Sequence, residues 1–169
     1  MGHSDNRSRH RIAHRNLPQL LLKARERLMA HFRPIINHFG LTEQQWRILR
    51  ALDEHGQLEP WALCEMCQIL SPSMAGVLAR MEDSGLVTRE RMPEDQRRVM
   101  VRVARKGDQL LMEMAPLIDE QYQNIERTYG RRVFDELFDA LEGFIEAEDT
   151  PAPQVALPVR KKSPSRKGG

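Results

Sequence analysis

The chain has 169 residues, 40% of them hydrophobic and 30% charged, with a formal net charge of +2. That is enough for one globular domain with appendages. No apolar run approaches the roughly 20 residues a membrane span needs, and the start Met1-Gly2-His3-Ser4 is polar and then arginine-rich, unlike a secretory signal, so a cytoplasmic location and no membrane partner are expected.

Residues 1–15 carry Arg7, Arg9, Arg11 and Arg15 with almost no apolar content and are expected to form a disordered basic arm. From Leu17 the series Leu20, Leu21, Ala24, Leu28, Phe32, Ile35, Ile36, Phe39 keeps helical spacing, and Pro34 is expected to kink or break that helix near Ala30 to Arg33. Thr42-x-x-Gln45 is a capping box opening a second helix, which His55-Gly56 ends. A third, short helix is predicted from Pro60 to about Gln68. A fourth runs from Ser71, read as N-cap with Pro72 at the first helical position, to Ser84-Gly85, with Leu78 and Met81 inward. Then come the strand Leu86 to Arg91, the turn Met92-Pro93-Glu94-Asp95-Gln96, and the strand Arg97 to Val103. In the latter, Val99, Val101 and Val103 alternate with Arg98, Met100 and Arg102, predicting one apolar and one cationic face.

Two long helices follow. Leu110, Leu111, Met114, Leu117, Ile118, Tyr122, Ile125 and Tyr129 line the first, which Pro116 is expected to bend. Val133, Phe134, Leu137, Phe138, Leu141, Phe144 and Ile145 line the second. The methionines, including Met81, Met112 and Met114, are expected in the core. Beyond Thr150 a Pro/Lys/Arg/Ser/Gly composition predicts a disordered basic tail over 150–169.

Charge is segregated along the chain. Arg80 to Lys106 holds eight Lys/Arg against five Asp/Glu, whereas Asp135 to Asp149 holds seven acids and no base. A phosphate-facing middle and a solvated acidic helix follow from this. A short helix followed by an arginine-edged hairpin suits a winged helix-turn-helix, with a helix in one DNA groove and a ribbon beside it; a small α+β domain with a basic surface is the alternative. The predicted fold is thus mainly α with a small β-hairpin wing: a winged helix over about 41–104 inside a domain of 16–149, flanked by helices over about 16–39 and 105–147. Their apolar stripes exceed what one small core needs, which suggests dimerisation helices and a homodimer matching a pseudo-palindromic double-stranded DNA operator.

Leu41-Thr42-Glu43-Gln44-Gln45-Trp46-Arg47-Ile48-Leu49-Arg50, the helix end Ala79 to Val87, and the wing Pro93-Glu94-Asp95-Gln96-Arg97-Arg98 resemble the MarR family of transcriptional regulators, with Lys106-Gly107 restarting the helices. The resemblance covers roughly Leu17 to Ala147. Within the family, Asn16 to Leu52 is similar to repressors of homoprotocatechuate (hydroxyphenylacetate) degradation operons. The resemblance implies that Arg97 enters the minor groove and that Asp95 orients it through an ion pair; a narrow minor groove concentrates negative potential and suits a weakly hydrated guanidinium. Arg89, Arg91 and Arg98 are further wing candidates. Many relatives carry Thr-Arg where this chain has Ala75-Gly76, and Ala79 replaces a common aspartate. That leaves Ser71, Ser73 and Arg80 as the main hydrogen-bonding groups of the fourth helix, with Met74, Ala75 and Val77 as candidate contacts to thymine methyls.

The same resemblance implies a small phenolic acid effector held between the dimer helices and the winged region. A cation for the carboxylate and apolar walls are required there, and Arg25, His31, His38, Trp46 and Arg50 are the candidates, with core packing as the competing explanation for Trp46. The resulting reading is a dimeric, ligand-released repressor of an aromatic-acid catabolic operon. Its alternative is a redox-responsive regulator sensing through Cys64 and Cys67, although two buried structural thiols suit that spacing too. The six histidines form no metal-binding cluster, no cofactor motif is present, and no nucleophile or paired-carboxylate constellation points to an enzyme.

Overall fold

The structure, a computed structural model, describes residues 12–147 and 152–158. The expected basic arm lies outside the described residues up to position 11, as does the tail at 148–151 and 159–169; residues 152–158 have no regular secondary structure. The elements run α1 Leu17–His38, α2 Glu43–His55, β1 Gln57–Leu58, α3 Pro60–Cys67, α4 Ser71–Asp83, β2 Val87–Arg91, β3 Val99–Val103, α5 Arg105–Tyr129 and α6 Arg131–Glu146. The helix order matches expectation. β1 does not come from the sequence pattern: it adds a third, two-residue strand, giving an antiparallel sheet of order β1-β3-β2. No single helix among the described residues is long and apolar enough to cross a membrane.

Local chemistry sets the boundaries. Asn16 caps α1 by accepting the Gln19 amide at 3.1 Å. The Thr42–Gln45 capping box forms in both directions, at 3.2 and 2.9 Å. Gly85, at φ +74, supplies the left-handed turn that ends α4. Contrary to expectation, Ser71 is not the N-cap of α4. Leu70 takes that place without a side-chain cap, Ser71 is the first helical residue and Pro72 the second.

The two internal prolines do not break their helices: α1 and α5 each continue through Pro34 and Pro116. The reason is placement. Pro34 and Ala30, four residues earlier, are both exposed, as are Pro116 and Met112, so each lost hydrogen bond lies on the solvent side of its helix. That placement also corrects the expectation for Met112, which is 70% exposed, while Met81 and Met114 are fully buried.

Two compact units divide the chain at Asn124/Ile125. In the first, Ile36, Leu41, Ile48, Leu49, Leu52, Leu63, Met74, Leu78, Met81, Val87, Val101 and Met114 build a closed apolar core. α3 and α4 meet at 110°, within the range of a helix-turn-helix. The turn between them passes through Gln68 at φ +49, and the Arg47 guanidinium donates to the Cys67 carbonyl at the end of α3, where a cation is favoured by the helix dipole. Arg47 Nε is buried without a partner among the described residues. α5 starts hard against the sheet: the Ala104 amide donates to the Leu86 carbonyl at 3.0 Å, Lys106 Nζ reaches the Ser84 carbonyl at 3.1 Å, and Gly107 passes so close that a Cβ there would stand 2.2 Å from the Leu86 oxygen.

The second unit, from Ile125, is less enclosed. Ile125 and Phe134 are its buried apolar residues, whereas Val133, Leu137, Phe138, Phe144 and Ile145 of α6 are exposed. The first half of α1 shows the same character, with Leu17, Leu20, Leu21 and Leu22 in solvent.

Candidate nucleic-acid interface

α4 buries Met74, Val77, Leu78 and Met81, a spacing of three, four and seven that makes one inward stripe. Met74 and Val77 are therefore core residues rather than contacts to thymine methyls, and the same spacing in the sequence was the signal that identifies them. The solvent face of α4 presents Ser71, Ser73, Ala75 and Arg80. Arg80 folds back along its helix, with Nη1 3.4 Å from where a Cβ of Gly76 would stand. The small residue thus gives the guanidinium room to lie flat.

In the hairpin, Val87 pairs with Val103, Arg89 with Val101 and Arg91 with Val99; Thr88 pairs with Arg102 and Glu90 with Met100. Directly paired residues share a face, so Arg89 and Arg91 stand with the valines, while Arg102 stands opposite with Thr88 and Glu90. The split expected for β3 holds within that strand, but β2 adds Arg89 and Arg91 to its apolar side, so the hairpin carries arginines on both faces. Most are spoken for. Arg89 Nε donates to Glu82 of α4 at 2.7 Å, and this bond holds the Glu82 carboxyl below the usual carboxylate range. Arg98 Nε donates to Glu59 at 2.5 Å, and Arg102 pairs with Glu90. Arg91 makes only a 3.4 Å bond to the Gln96 carbonyl, and Arg97 enters no ion pair among the described residues. Of the wing cations, Arg91 and Arg97 are the ones free to meet a phosphate.

Asp95 sits at the hairpin tip, where its Oδ1 accepts the Arg97 backbone amide at 3.0 Å. No ion pair joins it to the Arg97 guanidinium, so any orienting effect runs through the backbone of the turn. Between α3, α4 and the wing lies a groove of about 550 Å³. Ser71, Ala75, Arg89, Arg97 and Arg98 line it, together with Trp61 and Cys64, which the sequence did not place there. Cys64 is half-buried, while Cys67 is buried and its thiol is pushed up by that burial, away from the reactive thiolate.

Of the effector candidates, Trp46 and Arg50 come together on α2, with the guanidinium 5.9 Å from the ring centroid and 3.8 Å from Asp53. Arg25 is engaged elsewhere: with Arg33 it brackets Glu43, at 3.1 and 2.5 Å, and both also hold Glu26. These bonds, Arg33 first, hold the Glu43 carboxyl low and tie α1 to the start of α2. His31 is half-buried, and His38 is exposed with its ring edge-on to Phe39 at 5.2 Å. Tyr122 of α5, taken in the sequence as one more stripe residue, keeps an exposed edge while packing on Phe32 of α1 at 4.7 Å between ring centroids.

A profile of the MarR family matches residues 41–99, which span α2 to the start of β3. Over 129 residues the chain is 43% identical to the HTH-type transcriptional regulator FarR of Neisseria gonorrhoeae, covering 76% of this chain and 88% of that one. The chain belongs to the MarR family. This MarR-family transcriptional regulator is also 39% identical over 132 residues to the homoprotocatechuate degradative operon repressor of Escherichia coli, covering 78% of this chain and 89% of the relative. Among solved structures, NadR in complex with 4-hydroxyphenylacetate superposes with a TM-score of 0.72 at 40% identity, over 80% of this chain and 96% of that one. The winged helix-turn-helix and the mainly helical fold are thereby established, and the relatives are named as regulators rather than enzymes.

Proposed function

We propose that the protein is a homodimeric repressor of an operon for aromatic-acid catabolism and that a phenolic acid releases it from a pseudo-palindromic operator. The observation that carries the DNA part is Arg97 at the wing tip, outside any ion pair among the described residues, held by its backbone to Asp95 and standing on the same groove as the solvent face of α4. A ribbon arginine beside a helix face is the arrangement by which winged proteins take one major and one minor groove. Ser71, Ser73 and Arg80 on α4 and Arg91 and Arg97 on the wing are the contacts; Arg89 and Arg98 hold the wing in place through Glu82 and Glu59.

The exposed apolar faces of α1 and α6 support the homodimer, and two copies would hold paired half-sites about one helical turn apart. The effector reading rests on the Trp46–Arg50 pair, which offers a ring wall and a cation, and on the likeness to a relative whose structure contains 4-hydroxyphenylacetate. A ligand releases DNA only through differential affinity for two arrangements of the dimer. Cys67, buried and with its thiol pushed up, weighs against the redox alternative through Cys64 and Cys67.

The test is a mobility shift on the DNA upstream of the protein's own gene, titrated with 4-hydroxyphenylacetate and 3,4-dihydroxyphenylacetate. Specific binding released by either acid is expected. Binding that no phenolic acid disturbs but oxidant abolishes would replace the effector with the cysteine pair.

A further inference from the structure

We propose that Glu59 is a positioning residue for DNA binding: a carboxylate latch that ties the wing loop to the helix-turn-helix and so sets where Arg97 stands. The proposal rests on the DNA-binding reading above. Glu59 occupies the N-cap position of α3 and makes no capping bond there. Its two oxygens are used otherwise. One accepts Arg98 Nε at 2.5 Å, from a residue 39 positions away, and the other accepts the indole N–H of Trp61. The Glu59 side chain is only 18% exposed, and each of its two oxygens is engaged by a donor.

Arg98 is the hinge post of the wing loop. Its amide donates to the Asp95 carbonyl, and its carbonyl accepts the Met92 amide, both at 3.0 Å. Arg97 lies between these two bonds, its own amide held by Asp95. Holding the Arg98 side chain therefore holds the loop that presents Arg97. The other two wing pairs do not reach this loop: Arg102–Glu90 lies within the sheet and Arg89–Glu82 joins β2 to α4.

An acid beside phosphate-facing arginines is a cost for DNA binding if it acts only through its charge. The two roles therefore predict opposite signs. As a mere surface charge, Glu59 replaced by Gln would free Arg98, tighten binding and steepen the salt dependence by about one unit of slope. As a latch, its loss lets the loop swing and weakens binding although the surface becomes more positive.

Two measurements on the full chain decide the matter. Binding of the upstream duplex by Glu59→Gln is expected to be about tenfold weaker than wild type. Arg98→Ala should show the same loss, and the double variant should be no weaker than either single one. Hydrogen exchange of the free protein needs no DNA: the Met92 and Arg98 amides are expected to exchange about tenfold faster in Glu59→Gln, with the α2 amides unchanged as the check on folding. Tighter binding by Glu59→Gln, additive loss in the double variant, or unchanged exchange at Met92 and Arg98 would each overturn the latch. Failure of the wild-type chain to bind the duplex would instead sink the repressor reading, and the exchange measurement would still decide whether Glu59 holds the loop.

Discussion

The winged region and the outer helices were built from the same kind of apolar periodicity, and they meet opposite fates. On α4, positions 74, 77, 78 and 81 are buried among α2, α3 and the sheet. On α6, Phe134 is buried while Val133, Leu137, Phe138, Phe144 and Ile145 stand in water. The first half of α1 behaves like α6. A helix so apolar on one face does not persist in water without a cover. The winged region is thus complete as a single chain, and the outer helices are not. The proposed DNA-reading surface lies on the first, and the surface for the proposed second copy on the second.

The comparison breaks most visibly at α6. Phe138→Glu, at a half-exposed position, should leave the winged core folded but cost the proposed dimer about 2 kcal/mol of association, read as a shift from dimer to monomer in sedimentation. An unchanged mass would mean that α6 is bare surface.

Where the winged region meets α5, the largest effect should come from Gly107→Ala. Its Cβ has no room beside the Leu86 carbonyl oxygen and Val103 Cγ1, at 2.2 and 2.9 Å, so α5 must shift off the sheet. A loss of about 2–3 kcal/mol in urea unfolding is expected, and a neutral outcome would show that the junction between sheet and α5 yields cheaply.

The wing sharpens the comparison further, because its arginines divide into free and paired. Arg97→Ala should weaken DNA binding across many sequences and flatten the salt dependence by about one unit of slope. Arg102→Ala, whose guanidinium is already paired with Glu90, should change the slope by much less. Equal effects would mean that the pairs open on DNA.

The smallest effect is that of pH on the α1–α2 link. Glu43 has its carboxyl held low by Arg33 and Arg25, so its contribution is present above the ordinary glutamate range and lost as pH falls through the lowered folded value. Glu43→Gln should flatten the acid limb of stability by up to ~1 kcal/mol, as befits a partly exposed network. Acid unfolding profiles of the two proteins check it.

Much of this architecture is legible in the residues. Thr42 and Gln45 announce α2, and Gly85 announces the end of α4, because caps and left-handed turns are local events. The wing follows from alternation and a Pro-containing turn. What escapes is set by tertiary placement. Pro34 reads as a kink or break and Pro116 as a bend; that both helices continue through them follows only from the structure, which puts both prolines at exposed positions. A two-residue β1 carries no period at all. Arg98 and Glu59 are 39 residues apart, so nothing local marks the acid that removes one wing cation, and counting arginines overstates the charge available to DNA. Arg25 reads as a carboxylate receptor until Glu43 claims it.

The most direct test of the repressor reading is sedimentation of the chain with a duplex from upstream of its own gene, before and after adding 4-hydroxyphenylacetate. A dimeric, ligand-released regulator gives two chains on one duplex and frees the duplex when the acid is added. One chain per duplex, or a complex that aromatic acids leave intact, would contradict it.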